Sequence, residues 1–264
     1  MNTADGFASQ HLCFLGEGMS KVRIQCLGSG DAFGSGGRFQ PCFYASSENF
    51  RLLIDCGASS LIAMKRAGVD PASIDLILIS HLHGDHFGGI PFFILDAQFR
   101  RKTRPLIVAG PPGLVARVHQ AMEVFFPGSS RIQRKFTVEF LELAERKQTI
   151  IGPLKVTPYS VVHASGDTPY ALRVEFEDKV IAYSGDTEWT DALVEAARGA
   201  DLFICEAYYF ERKIKYHLSY QTLMEQRKNL DCRRLVLYHM SEEMLQKLPG
   251  LEAEWAEDGK NIVV

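Results

Sequence analysis

Short apolar runs rich in Val, Ile and Leu recur along the chain. Such runs are typical of strands buried on both faces. We therefore predict strands at 22–28, 51–57, 75–80, 105–110, 154–163, 171–177, 179–186, 201–207 and 234–240. Apolar positions at helical spacing lie between several of these runs. They predict helices at 58–67, 88–99, 112–125, 188–198, 219–228 and 242–248.

The order of these elements indicates an α/β fold in layers, since strands alternate with helices. Segment 154–186 carries strands without helices, which favours antiparallel hairpins, with a tight turn at "FEDKV". A faint repeat relates 52–81 to 180–207, because each reads strand, Asp–Gly loop, helix and strand. Two such halves would pack sheet against sheet, and polar ligands would gather at the carboxyl ends of the strands along one edge.

Length and composition are those of one large domain. The chain has 264 residues, and 46% of them are hydrophobic. A run that begins at Met19, "MSKVRIQCLGSG", is typical of a domain start. We therefore predict a loose extension over 1–20 and a single domain over 21–264. The net charge of −3 gives no overall basic field for nucleic acid.

The six cysteines are scattered along the chain, and no two of them form a CxxC motif. This pattern favours neither a thiolate zinc site nor a disulfide framework, and it suits a reducing compartment. No stretch approaches the apolar length of a membrane span. We therefore predict a cytoplasmic protein that has no membrane partner.

The segment "SHLHGDHFGG" at 80–89 holds three of the eight histidines. Directly after a predicted strand it presents His81, His83, Asp85 and His86. Imidazole nitrogen and carboxylate oxygen are ligands for zinc, manganese and iron. A polar loop that merely contains histidines is the competing interpretation. The crowding of the four groups favours a metal site.

Three more candidate ligands each end an apolar run: His163, Asp186 and His239. One site at the sheet edge would explain all three. The tripeptide GDT occurs twice, so Asp167 competes with Asp186. We choose Asp186 because it ends a strand and opens a helix. Asp167 precedes Pro169 in what reads as a turn.

The remaining histidines separate by context. His11 lies in the predicted extension, and His119 lies on a predicted helix as a surface or boundary residue. His217 lies just before a predicted helix start at Ser219. It could contact an anionic substrate or only belong to the capping loop, and its local sequence leaves both open.

Other polar segments carry weaker signals. The glycine-rich 28–37 lacks the third glycine of a dinucleotide fingerprint, since position 33 is Phe. We interpret it as a flexible loop at the sheet edge, where Arg38 or Gln40 lines the mouth of the site. Two basic runs, "RRKTR" (100–104) and "RIQRK" (131–135), are typical of solvated surface.

The ligand motifs together resemble the metallo-β-lactamase superfamily. HxHxDH follows an apolar strand, with DxG upstream and then His, GD and His in order, over about residues 22–241. The opening "LGSGDAFGSGGRFQPC" and the segment "CEAYYFERKIKYHLS" resemble the ribonuclease Z and related phosphodiesterase branch. Glu206 and His217 fall at the positions of that branch's EAT…HST pair, although "EAYYF" and "HLS" depart from it.

The resemblance implies a four-layer αββα sandwich, a homodimer and two divalent metal ions. Zinc is the metal expected first, with manganese and iron as alternatives. One ion would be held by His81, His83 and His163, and the other by Asp85, His86 and His239, with Asp186 bridging them.

The resemblance also implies roles around the ions. Asp55 would orient a ligand histidine. A hydroxide between the ions would attack phosphorus, and Asp85 could accept its proton. His217, held by Glu206, would contact the phosphate or protonate the leaving oxygen.

The predicted substrate is a small phosphodiester, such as a cyclic nucleotide or a nucleotide-derived ester. Ribonuclease Z carries a long tRNA-clamping arm between the corresponding His and Asp, whereas here 164–185 reads as strand, turn and strand. Nucleic acid is therefore a possible but not a favoured partner. The alternatives are a ribonuclease Z-like tRNA 3′ endonuclease and a thioester or lactone hydrolase of the glyoxalase type. A di-iron redox enzyme and a scaffold that has lost activity are less favoured.

Overall fold

Two seven-stranded sheets form the centre of the molecule. The structure is a computed structural model, and it describes residues 22–262 and 264. The predicted extension over 1–20, with His11, lies outside the described residues. Both this boundary and the single domain over 21–264 stay predictions.

The first sheet has the order β14-β1-β2-β3-β4-β5-β6. Its strands are β1 (Arg23–Gly28), β2 (Cys42–Ser46), β3 (Arg51–Ile54), β4 (Leu76–Leu78), β5 (Leu106–Gly110), β6 (Val138–Glu142) and β14 (Asn261–Ile262). From β14 to β3 neighbouring strands are antiparallel, and from β3 to β6 they are parallel. The helices of this half are α1 (Ser60–Arg66), α2 (Gly84–Phe87), α3 (Ile90–Phe99) and α4 (Leu114–Phe125).

The second sheet has the order β13-β12-β11-β10-β9-β8-β7. Its strands are β7 (Thr149–Ile151), β8 (Leu154–Ser160), β9 (Tyr170–Phe176), β10 (Lys179–Tyr183), β11 (Leu202–Glu206), β12 (Leu235–Tyr238) and β13 (Glu254–Trp255). Strands β7 to β10 are antiparallel, and β10 to β13 are parallel. The helices of this half are α5 (Asp191–Ala197), α6 (Tyr220–Gln226) and α7 (Glu242–Leu245).

Three layers of buried apolar side chains hold these elements together. The first joins the two sheets and includes a trio of rings, Phe43, Tyr183 and Tyr238, whose centroids lie 5.0–5.8 Å apart. The second lies between the first sheet and helices α1, α3 and α4, and the third between the second sheet and helices α5 to α7. This confirms the predicted αββα sandwich.

Every predicted strand and helix is present, but several others were missed. The missed strands are β2, β6, β7, β13 and β14, and the missed helix is α2. Most of these strands are short or lie near sheet edges, so they lack the continuous apolar runs of central strands. The predicted hairpin is confirmed, since only residues 177 and 178 connect β9 to β10. Within the described ranges, no helix has the length and apolar character needed to cross a bilayer. The cytoplasmic location and the homodimer stay predictions.

Candidate metal centre

The candidate ligands meet at one edge of the sandwich. Strands β3 to β6 are parallel to one another, and β8 runs in the same direction as β10 to β13 because two antiparallel steps separate it from β10. Each candidate ligand follows the carboxyl end of one of these strands. The loop that starts at His81 follows β4, His163 follows β8, Asp186 follows β10, and His239 follows β12.

The loop after β4 changes conformation between its ligands. His83 is extended (φ −81°, ψ 149°) at the N-cap of α2, whereas Asp85 and His86 lie in a helical turn. Gly57 lets this turn approach closely, since a Cβ there would lie 2.1 Å from the backbone oxygen of Asp85. Asp85 and His86 are consequently buried.

The first set of ligand atoms comes from His81, His83 and His163. All three offer a ring nitrogen, and these atoms lie within 4.8 Å of one another. Nε2 of His163 lies 3.0 Å from Nδ1 of His83. On its other side, Nδ1 of His163 donates to the carbonyl oxygen of Tyr216 at 2.7 Å, which orients the ring.

The second set comes from Asp85, His86, Asp186 and His239, all buried. Oδ2 of Asp85 lies 3.2 Å from Nε2 of His86 and 3.3 Å from Nε2 of His239. Asp186 lies 3.3 Å from each of the same two histidines. Its Oδ2 also lies 3.9 Å from Nε2 of His81. Asp186 therefore lies between the two sets.

Several polar atoms of the centre are buried without a hydrogen-bond partner among the described residues. They are Nε2 of His81, Nε2 of His86, Nδ1 of His239 and Oδ1 of Asp186. Leaving such atoms unpaired is costly, and native structures usually avoid it. Divalent cations would satisfy three of these atoms as ligands, so the donor set fits metal ions. Nitrogen and oxygen donors accept zinc, manganese or iron alike.

The charges of the centre also suit a cation. Burial holds the pKa of His81 well below its usual range and lowers that of His163 to about 4, so both rings are neutral as ligands must be. Burial opposes ionisation of Asp85 and Asp186, but the neighbouring histidines outweigh it and hold both pKa values low. In return, Asp186 keeps the pKa of His86 high despite burial. A metal ion that bound through His86 would therefore displace a proton.

Asp55 fixes the ring of His86. Its Oδ2 accepts hydrogen bonds from His86 Nδ1 at 2.6 Å, from the Tyr183 hydroxyl at 2.7 Å and from the Ser80 hydroxyl at 2.8 Å. Its Oδ1 accepts from the Ser80 amide at 2.8 Å. Because Nδ1 of His86 is held in this way, Nε2 faces Asp85 and the centre.

Backbone strain accompanies this arrangement. Asp55 (φ 57°), His239 (φ 58°) and Tyr216 (φ 72°) all adopt the left-handed region that non-glycine residues rarely occupy. Such conformations persist where surrounding structure imposes them, and they cluster at functional sites.

Glu206 and His217 form a pair beside the centre. Nδ1 of His217 lies 3.1 Å from Oε2 of Glu206, which is fully buried and also accepts from the Thr187 amide. Burial lowers the pKa of His217, but Glu206 outweighs it and raises that pKa to about 9. The His217 side chain is 20% exposed and its ring stacks on His239 with centroids 5.5 Å apart.

Tyr208 is a neighbour that the sequence analysis missed. Its ring stacks on His217 with centroids 4.8 Å apart. Burial and the neighbouring Asp31 carboxylate raise the pKa of the Tyr208 hydroxyl to about 12. The only sequence signal was the departure of "EAYYF" from the motif that it resembles.

The two GDT aspartates have different surroundings. Asp186 lies between the two ligand sets, whereas Asp167 belongs to neither. Asp167 accepts from the Leu82 amide at 2.9 Å and from the Ser165 hydroxyl. It therefore supports the backbone between His81 and His83, which is more than the turn-forming role expected for it.

The other residues singled out from the sequence belong to neither ligand set, and the expectation that Arg38 or Gln40 lines the mouth of the site stays a prediction. His119 is exposed on α4. Arg38 donates to the Ser29 hydroxyl at 3.1 Å and to the Ala256 carbonyl at 2.7 Å. Arg38 and Gln40 line a cavity of about 380 Å³ in the glycine-rich segment.

Two sheets with helices outside, and a histidine and aspartate cluster at one edge, define the metallo-β-lactamase fold. A metallo-β-lactamase-fold protein of known structure, YhfI from Bacillus subtilis, superposes with a TM-score of 0.73 at 19% identity and covers 92% of this chain and 100% of its own. A diphosphatase of the PhnP family gives a TM-score of 0.73 at 19% identity and covers 91% and 97%.

Sequence comparison supplies the family. The family model described as Anti-Pycsar protein Apyc1 matches residues 22–255, so the chain belongs to that family. Ribonuclease Z from Agathobacter rectalis is 28% identical in an alignment 247 positions long, which covers 74% of this chain and 80% of the relative. The predicted superfamily, its ribonuclease Z-like character and a metal-dependent hydrolase are confirmed by these relatives.

Proposed function

We propose that this protein is a dinuclear metal-dependent phosphodiesterase that acts on a small phosphodiester, such as a cyclic nucleotide or a nucleotide-derived ester. The observation that carries this proposal is the position of Asp186, a buried carboxylate within 3.9 Å of ring nitrogens from both ligand sets. A shared carboxylate is what a two-metal centre requires, because it can bridge the ions.

The proposed ligands divide into two groups that share Asp186. His81, His83 and His163 would hold one ion, and Asp85, His86 and His239 the other. Zinc is favoured, and manganese and iron remain alternatives. Two ions together supply Lewis-acid stabilisation of charge on the phosphoryl oxygens and a potent nucleophile at neutral pH.

The chain's own side chains supply the proton chemistry in this proposal. The Asp85 carboxylate is ionised, as a proton acceptor must be, because the neighbouring histidines outweigh burial and hold its pKa low; the same low pKa makes it a weak base. His217 carries a proton at neutral pH, because Glu206 raises its pKa to about 9. Partly exposed beside the centre, it can donate a hydrogen bond to a phosphate oxygen or a proton to the leaving oxygen.

The segment between His163 and Asp186 supports the small substrate. Strands β9 and β10 fill most of that interval and are joined by residues 177 and 178 alone. An RNA substrate of tRNA size needs several phosphate contacts far from the cleaved bond. This hairpin has no room for the inserted arm that would supply them. The similarity to a diphosphatase supports hydrolysis at phosphorus.

The test is turnover by the purified, metal-loaded protein on a matched panel. The panel contains bis(p-nitrophenyl) phosphate, cyclic nucleotides, a precursor tRNA, a thioester and a lactone. We expect phosphodiester turnover that depends on added zinc or manganese, with two ions per chain by elemental analysis. His83→Ala should lose an ion and nearly all turnover, whereas the exposed His119→Ala should change neither.

Two results would replace the proposal with its alternatives. Accurate 3′ trimming of precursor tRNA at physiological salt would favour a ribonuclease Z-like endonuclease. The similarity to ribonuclease Z from A. rectalis is the reason to test this alternative. Thioester or lactone turnover without phosphodiester turnover would favour the glyoxalase type.

A further inference from the structure

The two basic runs of the sequence line one cavity. Arg101 and Lys102 come from the first run, and Arg134 and Lys135 come from the second. The cavity has a volume of about 410 Å³, within the range of small-molecule sites. Neighbouring strands bring the runs together, since the first precedes β5 and the second precedes β6, and these strands pair in parallel.

This cavity lies at the opposite edge of the first sheet from the metal centre. Parallel strands β3 to β6 begin at one edge and end at the other. The basic runs precede the amino ends of β5 and β6, whereas the ligand loop follows the carboxyl end of β4. The two sites share no residue.

The cavity has an excess of positive charge. Its lining has four basic side chains and no carboxylate. The Lys102 ammonium donates to the Ala72 and Ile74 carbonyls, each at 2.8 Å, which leaves three cations for a ligand. Among the described residues, Arg101, Arg134 and Lys135 form no ion pair, whereas Arg104 in the same run pairs with Asp75 at 2.6 Å. An anion is the ligand that these charges would attract.

Two buried polar atoms of the lining residues also lack a hydrogen-bond partner among the described residues. Arg134 donates through Nη2 to the Ser129 carbonyl, but its Nε is buried without a partner in the part of the chain that the structure describes. Gln98 also lines the cavity, and its buried Oε1 has no hydrogen-bond partner among the described residues either. The free N–H of this guanidinium can donate a charge-assisted hydrogen bond to a phosphate oxygen.

Aromatic rings complete the lining. Phe99 is 77% exposed and Phe136 is 5% exposed, and both border the cavity. An exposed ring beside basic groups is the arrangement on which nucleic acid bases stack. Two aromatic rings and several cations suit a ligand with a flat ring at one end and a phosphate at the other.

We propose that this cavity is a second ligand site that binds a nucleoside monophosphate, with the phosphate on Arg101, Arg134 and Lys135 and the base against Phe99. A phosphate monoester carries close to two negative charges at neutral pH. Several unpaired cations therefore favour it over a diester with a single charge. The size of the cavity favours a mononucleotide over an extended strand.

The test follows binding of adenosine 5′-monophosphate to the metal-loaded protein by hydrogen–deuterium exchange and calorimetry. We expect reduced exchange in 98–104 and 131–136, separate from any effect at 80–89. Arg101→Gln and the double variant Arg134→Gln/Lys135→Gln should each weaken binding at this site at least about tenfold. Arg104→Gln is the matched control, because that side chain pairs with Asp75 and does not line the cavity.

Adenosine and inorganic phosphate separate the two parts of the ligand, and each should bind more weakly than the monophosphate. Phosphodiester turnover and thermal unfolding midpoints should stay close to wild type in Arg101→Gln. Protection confined to 80–89, or unchanged affinity in the variants, would overturn the site. Tighter, strongly salt-dependent binding of a single-stranded oligonucleotide than of the monophosphate would overturn it in favour of a nucleic acid surface.

Discussion

Replacing Asp55 by Asn should weaken metal binding without touching a proposed ligand. The amide can keep its oxygen at the Ser80 amide, which places its NH₂ where Oδ2 met three donors. The hydroxyls of Ser80 and Tyr183 can rotate and accept. His86 can accept at Nδ1 only if its proton moves to Nε2, the atom that faces Asp85 and Asp186 at 3.2 and 3.3 Å.

The size of the effect follows from those contacts. A protonated Nε2 cannot bind a metal, so the variant must give up either the hydrogen bond or the ligand. Loss of a partner that orients a ligand histidine typically costs about 10–100-fold in metal affinity, which is roughly 1.4–2.7 kcal/mol. The metal-free protein should also lose about 1.5–3 kcal/mol, the contribution of a hydrogen bond to a charged group.

The assay is competition for zinc against a chromogenic chelator, together with thermal unfolding of the metal-free proteins. Asp75→Asn is the matched control, because Asp75 is also a buried carboxylate at a strand end. It accepts from the Arg51 amide at 3.0 Å and pairs with Arg104, away from the centre. It should lose stability but keep zinc affinity. Zinc affinity of Asp55→Asn within about threefold of wild type would refute the reasoning.

Four other substitutions test the centre. Asp186→Asn should abolish phosphodiester turnover and lower the metal content, while Asp167→Asn should lower turnover by only about fivefold, because its amide oxygen can still accept from the Leu82 amide and the change costs about 1 kcal/mol, the size of one ordinary hydrogen bond; the reverse order in steady-state assays would mean that the wrong aspartate was chosen. His217→Ala should lower kcat by about 10²–10⁴ and leave the metal content unchanged by elemental analysis, so loss of an ion would make it a ligand instead. Gly57→Ala would place its Cβ 2.1 Å from the Asp85 backbone oxygen. It should cost about 1–3 kcal/mol in thermal unfolding and weaken zinc binding, and an unchanged midpoint would contradict the close approach.

Hydrophobic patterning predicted the central strands well, because strands buried on both faces leave long apolar runs. The same runs predicted where the candidate ligands lie, since each run ends where its polar side chain begins. This is why Asp186 could be separated from Asp167 in identical tripeptides. The edge strand β14 carries no such run, and its pairing with β1 spans nearly the whole described chain.

Other features had no signal in a single sequence. The contact of His163 with Tyr216 uses a backbone carbonyl, which no side-chain pattern reports. The turn α2 lies inside the ligand motif, where the spacing of histidines hides a helical repeat. The basic runs meet only because β5 and β6 are neighbours, and strand order is set by packing over the whole sheet.

The ring trio between the sheets carries a consequence for how the centre can be disturbed. Phe43 comes from the first sheet and contacts Tyr183 and Tyr238 of the second. Tyr183 donates to Asp55, and Tyr238 directly precedes His239. Because neither sheet alone contributes both complete ligand sets, the distances among the ligands record how the sheets are docked. The affinity for metal would therefore depend on the spacing of the two sheets. A core substitution at Phe43 would change that affinity although every ligand residue stayed the same.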